Sequence, residues 1–263
     1  MNLDLFGKNA LVCGSSKGIG KAAAIQLASL GANVTLVARS VDKMSAVIKE
    51  MDMDISKGQD HDFLMADFTD SKELVKRVRG LSLKRPYHIL VNNTGGPAGG
   101  PILDADPDAF MQAYHNHVIC SHLLSQLLVP GMKRANYGRI INIISISVKT
   151  PIVGLGVSNT TRGAMASWSK TMASELGPHG ITVNNVLPGF TNTERLKDLY
   201  GPKAAAAGQS YDEYMAELAE TIPAKRIGEP MEVGAAVAFL ASPVAGYING
   251  VNLPVDGGRV PSM

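Results

Sequence analysis

Three glycines in the stretch "LVCGSSKGIGKAAAIQLASLG" have the spacing of a phosphate cradle. Gly14, Gly18 and Gly20 follow an apolar run and open a segment of helical periodicity, in the order GxxxGxG. A tight turn needs Gly14, Gly18 lets a phosphate approach the backbone, and Gly20 lets helix and strand close up. Free N–H groups at the helix start, in the stretch that also carries Ser16, Lys17 and Ile19, then face a pyrophosphate. A glycine-rich turn without a ligand would have the same composition; the strand–turn–helix setting favours the nucleotide. The next β-rich run, "ANVTLVAR", ends in Arg39, followed by Ser40. A carboxylate there would grip the ribose 2′-hydroxyl of NAD, whereas an arginine suits a 2′-phosphate, so NADP(H) is expected over NAD(H). Lys17 could add a second positive charge nearby. Asp67 ends a third run, where its carboxylate could meet the adenine amino group with the Phe68 backbone reading the base, or could cap the following helix. In "LVNNTGGPAGG", Asn92 and Asn93 can bond across adjacent loops, and the Thr94–Gly95–Gly96 turn brings backbone close to the ribose side of the cofactor.

These residues sit at the ends of strands in a regular alternation. Apolar β-rich runs ("NALVCG", "ANVTLVAR", "HDFLMAD", "HILVNN", "RIINIIS", "ITVNNVLPG", "GVNLPVDGG") alternate with segments of helical periodicity. Helices are expected from Ile19 to Leu30, over "MSAVIKEM" and "ELVKRVRGL", near Asp108 to Arg134, from Thr160 to Leu176, and over "EVGAAVAFLAS". That rhythm argues for βαβ units and a parallel sheet: an α/β, Rossmann-type, doubly wound, three-layer α/β/α fold. No linker, internal repeat or long low-complexity tract divides the 263 residues, so one nucleotide-binding domain is expected over 1–263. The segment from about 190 to 226 is long for a connection and contains two amphipathic stretches, which suits a lid over a substrate pocket. A net charge of +2 argues against nucleic acid or an anionic membrane as partner. Two cysteines, Cys13 and Cys120, make no disulfide framework, and no signal peptide is recognisable; both fit a cytoplasmic protein. No metal site is expected.

Taken together, these residues resemble the classical short-chain dehydrogenase/reductase family, and within it the 3-oxoacyl-acyl carrier protein reductase-like proteins. The family's glycine loop appears as "CGSSKGIG", its NNAG as "NNTGG", and its helix asparagine as Asn116 in "YHNHVI". Its NxxS strand end is "NIIS", giving Ser145; its PG turn is Pro188–Gly189, and its late VDGG is intact. The resemblance covers the whole chain. It implies a seven-stranded parallel sheet and a dimer or tetramer. It also implies carbonyl reduction, in which a tyrosine donates a proton and a lysine one turn later lowers the tyrosine pKa and binds the nicotinamide ribose. In the family the serine holds the substrate oxygen and the asparagine orders a water for proton relay.

The tyrosine and lysine are missing. Counting thirteen residues forward from Ser145, the family's usual separation, reaches Ser158. Counting thirteen back from Glu175, the usual distance from that glutamate to the lysine, reaches Arg162. The two residues are four apart and share a helix face, so YxxxK reads "SNTTR". No tyrosine substitutes: Tyr137 precedes its strand and Tyr200 lies well beyond the PG turn. An aliphatic hydroxyl is a far weaker acid than a phenol of pKa about 10. Arg162 keeps the positive charge and can reach ribose hydroxyls, but is no easy proton donor. His115 and His117 flank Asn116; side chains at i−1 and i+1 of a regular helix point away from its face, so both read as packing or surface. Three readings stay open: an NADPH-dependent reductase of a small carbonyl compound or acyl thioester with an altered proton path, a nucleotide-binding sensor or partner subunit with little turnover, and a different reaction on the same scaffold. Thr191 and Thr193 could bond the cofactor's carboxamide or pyrophosphate, or cap a helix.

Overall fold

The computed structural model describes residues 1–261. Seven strands form one sheet: β1 (Asn9–Cys13), β2 (Asn33–Ala38), β3 (Asp62–Met65), β4 (Ile89–Asn92), β5 (Gly138–Ile143), β6 (Ile181–Pro188) and β7 (Asn252–Val255). Their order is β3-β2-β1-β4-β5-β6-β7, and every pairing is parallel. The direction of crossover changes between β1 and β4, which opens a crevice at the carboxyl ends of those strands. The helices are α1 (Gly18–Ser29), α2 (Val41–Glu50), α3 (Ser71–Ser82), α4 (Pro107–Tyr114), α5 (Cys120–Ala135), α6 (Gly156–Leu176), α7 (Glu194–Ala206), α8 (Tyr211–Glu220) and α9 (Pro230–Ala241).

Strand residues alternate between two cores, which explains their unbroken apolar runs. Val12, Leu36, Val91 and Ile141 meet Leu27 of α1, Met44 of α2 and Val237 of α9 on one face. Leu11, Val37, Leu90 and Ile140 meet Val78 of α3, Leu124 of α5 and Ala173 of α6 on the other. The segment after β6 builds a smaller core of its own from Phe190, Leu196, Tyr200, Met215 and Ile222. This is the region expected as a lid, and both of its amphipathic stretches are helices.

Two elements depart from the expected bounds. Helix α6 starts at Gly156, four residues before Thr160, so Ser158 lies inside its first turn. Between α4 and α5, residues His115–Ile119 form a π-helical turn inside the otherwise continuous helical region. Among the described residues, no helix is long and apolar enough to cross a membrane, and no group of three His, Cys, Asp or Glu side chains could hold a metal ion. Cys13 and Cys120 are buried free thiols.

Candidate active site

The glycine loop joins β1 to α1 at the crevice. Gly14 has φ +58, a left-handed conformation, and a Cβ there would lie 2.6 Å from the carbonyl oxygen of Asn93. A Cβ on Gly20 would collide with the Gly14 carbonyl oxygen and lie 2.8 Å from the Gly14 carbonyl carbon. Gly20 is therefore the point where helix and loop close up. Ser15, a residue the sequence reading passed over, fixes the loop to the neighbouring strand: its Oγ accepts from the Val37 N–H at 3.0 Å. Asn93 ties the loop to β4, donating from Nδ2 to the Gly14 carbonyl at 3.2 Å. Ser16, Gly18 and Ile19 line the turn beside the partly exposed start of α1.

Arg39 directly follows β2 and is exposed, and Ser40 caps α2, accepting from the Lys43 N–H at 3.4 Å. Asp67 lies beyond β3. Its carboxylate accepts from the Thr69 N–H and hydroxyl, each at 2.9 Å. These bonds, with the Arg39 charge behind them, hold it below the ordinary carboxylate range. The cap of α3 is Asp70, accepting from the Glu73 N–H at 3.0 Å, so the capping role considered for Asp67 belongs to Asp70. Phe68 is half-buried, and its carbonyl accepts from the Cys120 thiol. Lys17 does not stand free beside Arg39; it is paired with Glu194 at the start of α7.

The PG turn, Pro188–Gly189, leads into a segment that crosses back over the glycine loop. Thr191 is buried and bridges in parallel to Gly228. Thr193 caps α7, and its methyl lies 3.3 Å from where a Gly18 Cβ would sit. Thr193 thus faces the glycine loop and takes the capping alternative, while the Thr191 hydroxyl donates to the Gly189 carbonyl at 3.3 Å.

At the other end of the crevice, Ser145 follows β5 and Ser158 opens α6. Ser145 Oγ accepts from the Ser147 N–H at 3.1 Å and is partly exposed. Ser158 is partly exposed, with no hydrogen-bonded partner for its hydroxyl among the described residues. Its neighbour Asn159 is committed elsewhere, donating from Nδ2 to the Ile152 carbonyl at 2.9 Å. Arg162, one turn on from Ser158, is only 8% exposed. Its Nη1 donates to the Ile143 carbonyl, two residues before Ser145, at 2.8 Å, while its Nε is buried without a partner. Burial, reinforced by the Arg195 charge, pulls this guanidinium down to about 10.

A row of amides anchors α6, the helix that carries Arg162, to the sheet. Asn92, Asn142, Asn185 and Asn252 are register partners across β4, β5, β6 and β7. The first three amides each donate to the next: Asn92 to Asn142 at 2.8 Å, Asn142 to Asn185 at 3.0 Å, Asn185 to Asn252 at 2.8 Å. Ser169 Oγ joins the row, donating to Asn185 at 2.7 Å and accepting from Asn142 at 2.9 Å. Ser169 is two helical turns from Arg162 on the same face of α6, so the row fixes the register of that face against the sheet.

His117 does not follow the regular-helix rule that would turn it away from the crevice. Of the two places expected for it, packing or surface, it takes the first, but on the Arg162 side: it is 4% exposed, with Nδ1 2.6 Å from the Thr94 hydroxyl. The π-helical turn is what carries it inward. Burial, then the charges of Arg162 and Arg195, push its pKa well below the ordinary histidine value despite a backbone hydrogen bond at Gly95. His117, Thr94, Arg162 and Asn92 line a cavity of about 10 Å³, roughly the space of one water. Two unpartnered atoms, Asn92 Oδ1 and Arg162 Nε, belong to residues of that lining. Asn116 turns elsewhere: its Oδ1 accepts from Gln112 Nε2 at 2.8 Å, and His115 reaches Ser71. Arg195, which sequence reasoning missed, crosses from α7 to the loop after β4, donating to the Pro97 carbonyl.

The sequence matches the family described as enoyl-(acyl carrier protein) reductase over residues 14–259. It is 31% identical to the 3-oxoacyl-[acyl-carrier-protein] reductase FabG of Vibrio harveyi, over 97% of this chain and 98% of that one. The fold is similar to L-sorbose reductase from Gluconobacter frateurii, solved with NADPH and L-sorbose, at a TM-score of 0.92 and 30% identity over the whole of both chains. It is also similar to a 3-oxoacyl (acyl-carrier-protein) reductase from Agrobacterium tumefaciens C58, solved with NADP bound. There the TM-score is 0.83 and the identity 26%, over 97% of this chain and 95% of that one. With the parallel seven-stranded sheet, the glycine loop at its crevice and a match spanning nearly its full length, the chain belongs to the short-chain dehydrogenase/reductase family.

Proposed function

We propose that the protein is an NADPH-dependent oxidoreductase that reduces a carbonyl group by a proton path other than the family's tyrosine. The observation that carries this is Arg162: a guanidinium held at the end of β5, beneath the Ser145 turn, by the Ile143 carbonyl and no carboxylate. Such a group keeps a positive charge at the reaction centre through any cycle at neutral pH, without itself giving up a proton.

The residues present fit the cofactor. Gly14 and Gly20 let the loop close tightly against Asn93 and itself, where a Cβ would strike backbone, and exposed Arg39 stands just after β2 with no carboxylate beside it on that strand. Two of the similar structures were solved with NADPH or NADP, which supports the same choice here. In this reading Arg39 and Ser40 hold the 2′-phosphate. Asp67 and Phe68 meet the adenine. Gly14, Ser16, Lys17, Gly18, Ile19 and Gly20 wrap the pyrophosphate. Asn93, Thr94, Gly95 and Arg162 face the nicotinamide ribose, while Pro188, Gly189, Thr191 and Thr193 close over the carboxamide. Bound NADPH supplies the hydride. Ser145 holds the substrate oxygen, Arg162 stabilises negative charge developing there, and Ser158 relays a proton from water. Asn116 remains a candidate for that relay through its backbone. Helices α7 and α8 cover the substrate.

A second reading has its own support. Ser158 has a hydroxyl far weaker in acidity than a tyrosine, which costs several kcal/mol at about 1.4 kcal/mol per pKa unit if it must be the acid. A protein that binds NADP(H) with little turnover, as sensor or partner subunit, would have this site. Calorimetry with NADPH and NADH, followed by oxidation at 340 nm with ketones, quinones and 3-oxoacyl thioesters, decides. NADPH is expected to bind at least tenfold tighter than NADH, with slow substrate-dependent oxidation. NADH binding equally well would remove the cofactor assignment, and NADPH binding with no oxidation would select the second reading.

A further inference from the structure

Two guanidinium groups converge where β4, β5 and α7 meet, and neither is ion-paired; the carboxylate that Arg195 senses, Asp198 one turn on along α7, is exposed and forms no salt bridge with it. Arg162 is buried, with one bond to a backbone carbonyl and Nε unpartnered. Arg195 is half-buried, and its recorded bond is to the Pro97 carbonyl, again a neutral acceptor. Neither forms a salt bridge among the described residues, although eight other basic side chains pair with carboxylates. The third titratable group between them, His117, is held neutral by burial and by their charges. Paired buried charges are ordinary; buried like charges without a counter-ion are costly and point to one that arrives with a ligand.

We infer that Arg195, with Arg162 beneath it, receives a carboxylate carried by the substrate, so that the reducible compound is an oxo acid rather than a neutral ketone. This rests on the reductase reading above. The cofactor's pyrophosphate is the other available anion, and the geometry disfavours it. On the glycine-loop side, α7 presents Glu194, already paired with Lys17. Arg195 leaves the same turn toward Gly96, with Nη2 3.1 Å from where a Cβ on Gly96 would sit. That is the loop after β4, beside Thr94 and away from Gly14–Gly20. The same wall continues through Gly99, where a Cβ would meet Leu155 and Leu199 at 3.3 and 3.5 Å. A charged end under Arg195 and an apolar wall at Leu155 and Leu199 describe a small acid with a short hydrocarbon part.

The test is a pair of probes that differ in charge and by one methyl group, acetoacetate and methyl acetoacetate, titrated by calorimetry into protein saturated with NADPH. Acetoacetate is expected to bind at least tenfold tighter than its ester. In Arg195→Met that gap should close to within threefold, in Arg195→Lys it should be partly kept, and NADPH affinity should change less than threefold in either. Equal binding of acid and ester, binding of neither, or a gap untouched by Arg195→Met overturns the inference. So does a tenfold loss of NADPH affinity in Arg195→Met, which would put the arginine on the pyrophosphate. If NADPH itself fails to bind, the reductase reading falls and this inference with it; if NADPH binds and the acid is not preferred, only this inference falls.

Discussion

Replacing Arg162 by methionine should make the unliganded protein more stable and its ligand binding worse. Burial lowers the guanidinium pKa to about 10, and at 1.36 kcal/mol per pKa unit this is a penalty of about 3 kcal/mol on the charged form. The side chain is 8% exposed, so solvent screens little of that penalty. Against it stands the bond to the Ile143 carbonyl, a charge-assisted hydrogen bond of about 1.5–3 kcal/mol that the variant loses. Methionine fills similar apolar volume, and the net is a gain of about 1 kcal/mol. For a chain of this size that is a rise of about 2–4 °C in Tm. The same change removes the only charge at the reaction centre contributed by α6, so NADPH affinity should fall about tenfold. The assay is thermal unfolding of the apo protein at pH 7.5, with calorimetry on the same samples. The pH dependence has a definite sign. Native Arg162 releases its proton near pH 10, before the unfolded chain does, so the unfolded chain binds more protons just above that pH and wild-type stability rises relative to the variant. The variant's advantage should therefore be full at neutral pH and shrink as pH rises through 10. A Tm lowered by several degrees at pH 7.5 would refute the reasoning, and would mean that the guanidinium is a satisfied structural group.

The other changes test single parts of the site. Arg39→Asp should cost at least tenfold in NADPH affinity and improve NADH binding, read by calorimetry; unchanged selectivity would take Arg39 out of the 2′-phosphate site. Gly20→Ala puts a methyl against the Gly14 backbone, with 2.8 Å to its carbonyl carbon, so a loss of about 1–3 kcal/mol in urea denaturation and loss of cofactor binding are expected. Asn142→Leu leaves Asn92, Ser169 and Asn185 without a partner they now share, and should cost about 2–3 kcal/mol or more while raising the amide exchange of α6. A neutral effect there would show that the amide row does not hold α6.

Much of this was legible in the residues. The alternation of apolar runs and helical periods identified every strand and most helices, because the central strands, buried on both faces, are mostly apolar along their length. The glycine loop was readable because the positive φ at Gly14 and the contact at Gly20 favour glycine there. What stayed hidden depended on geometry between distant segments. His117 was dismissed on the rule for regular helices, and the π-helical turn that breaks the rule has no mark in "HNHVI". Arg195 looked like one more charge at the start of an amphipathic stretch, since nothing local says that α7 lies against the loop after β4. The partner of Lys17 was hidden likewise, 177 residues away. Periodicity starts α6 at Thr160, yet the first turn packs under Ile102, where a Cβ on Gly156 would meet it at 2.5 Å.

The central claim is that Ser158 and Arg162 stand where the family's proton donor and its lysine stand, and that the serine slows proton delivery. The most direct measurement is the rate of NADPH oxidation at saturating cofactor, with a fixed panel of carbonyl compounds, for the wild type and for Ser158→Tyr/Arg162→Lys. The account predicts a slow wild type and a rise of tenfold or more in the double variant, after any loss from overpacking the ring, about 1–3 kcal/mol, is checked by Tm. A wild type that already turns over a simple carbonyl at about tens per second, within the ordinary range for enzymes, would contradict it. The proton would then come from water or from the substrate itself.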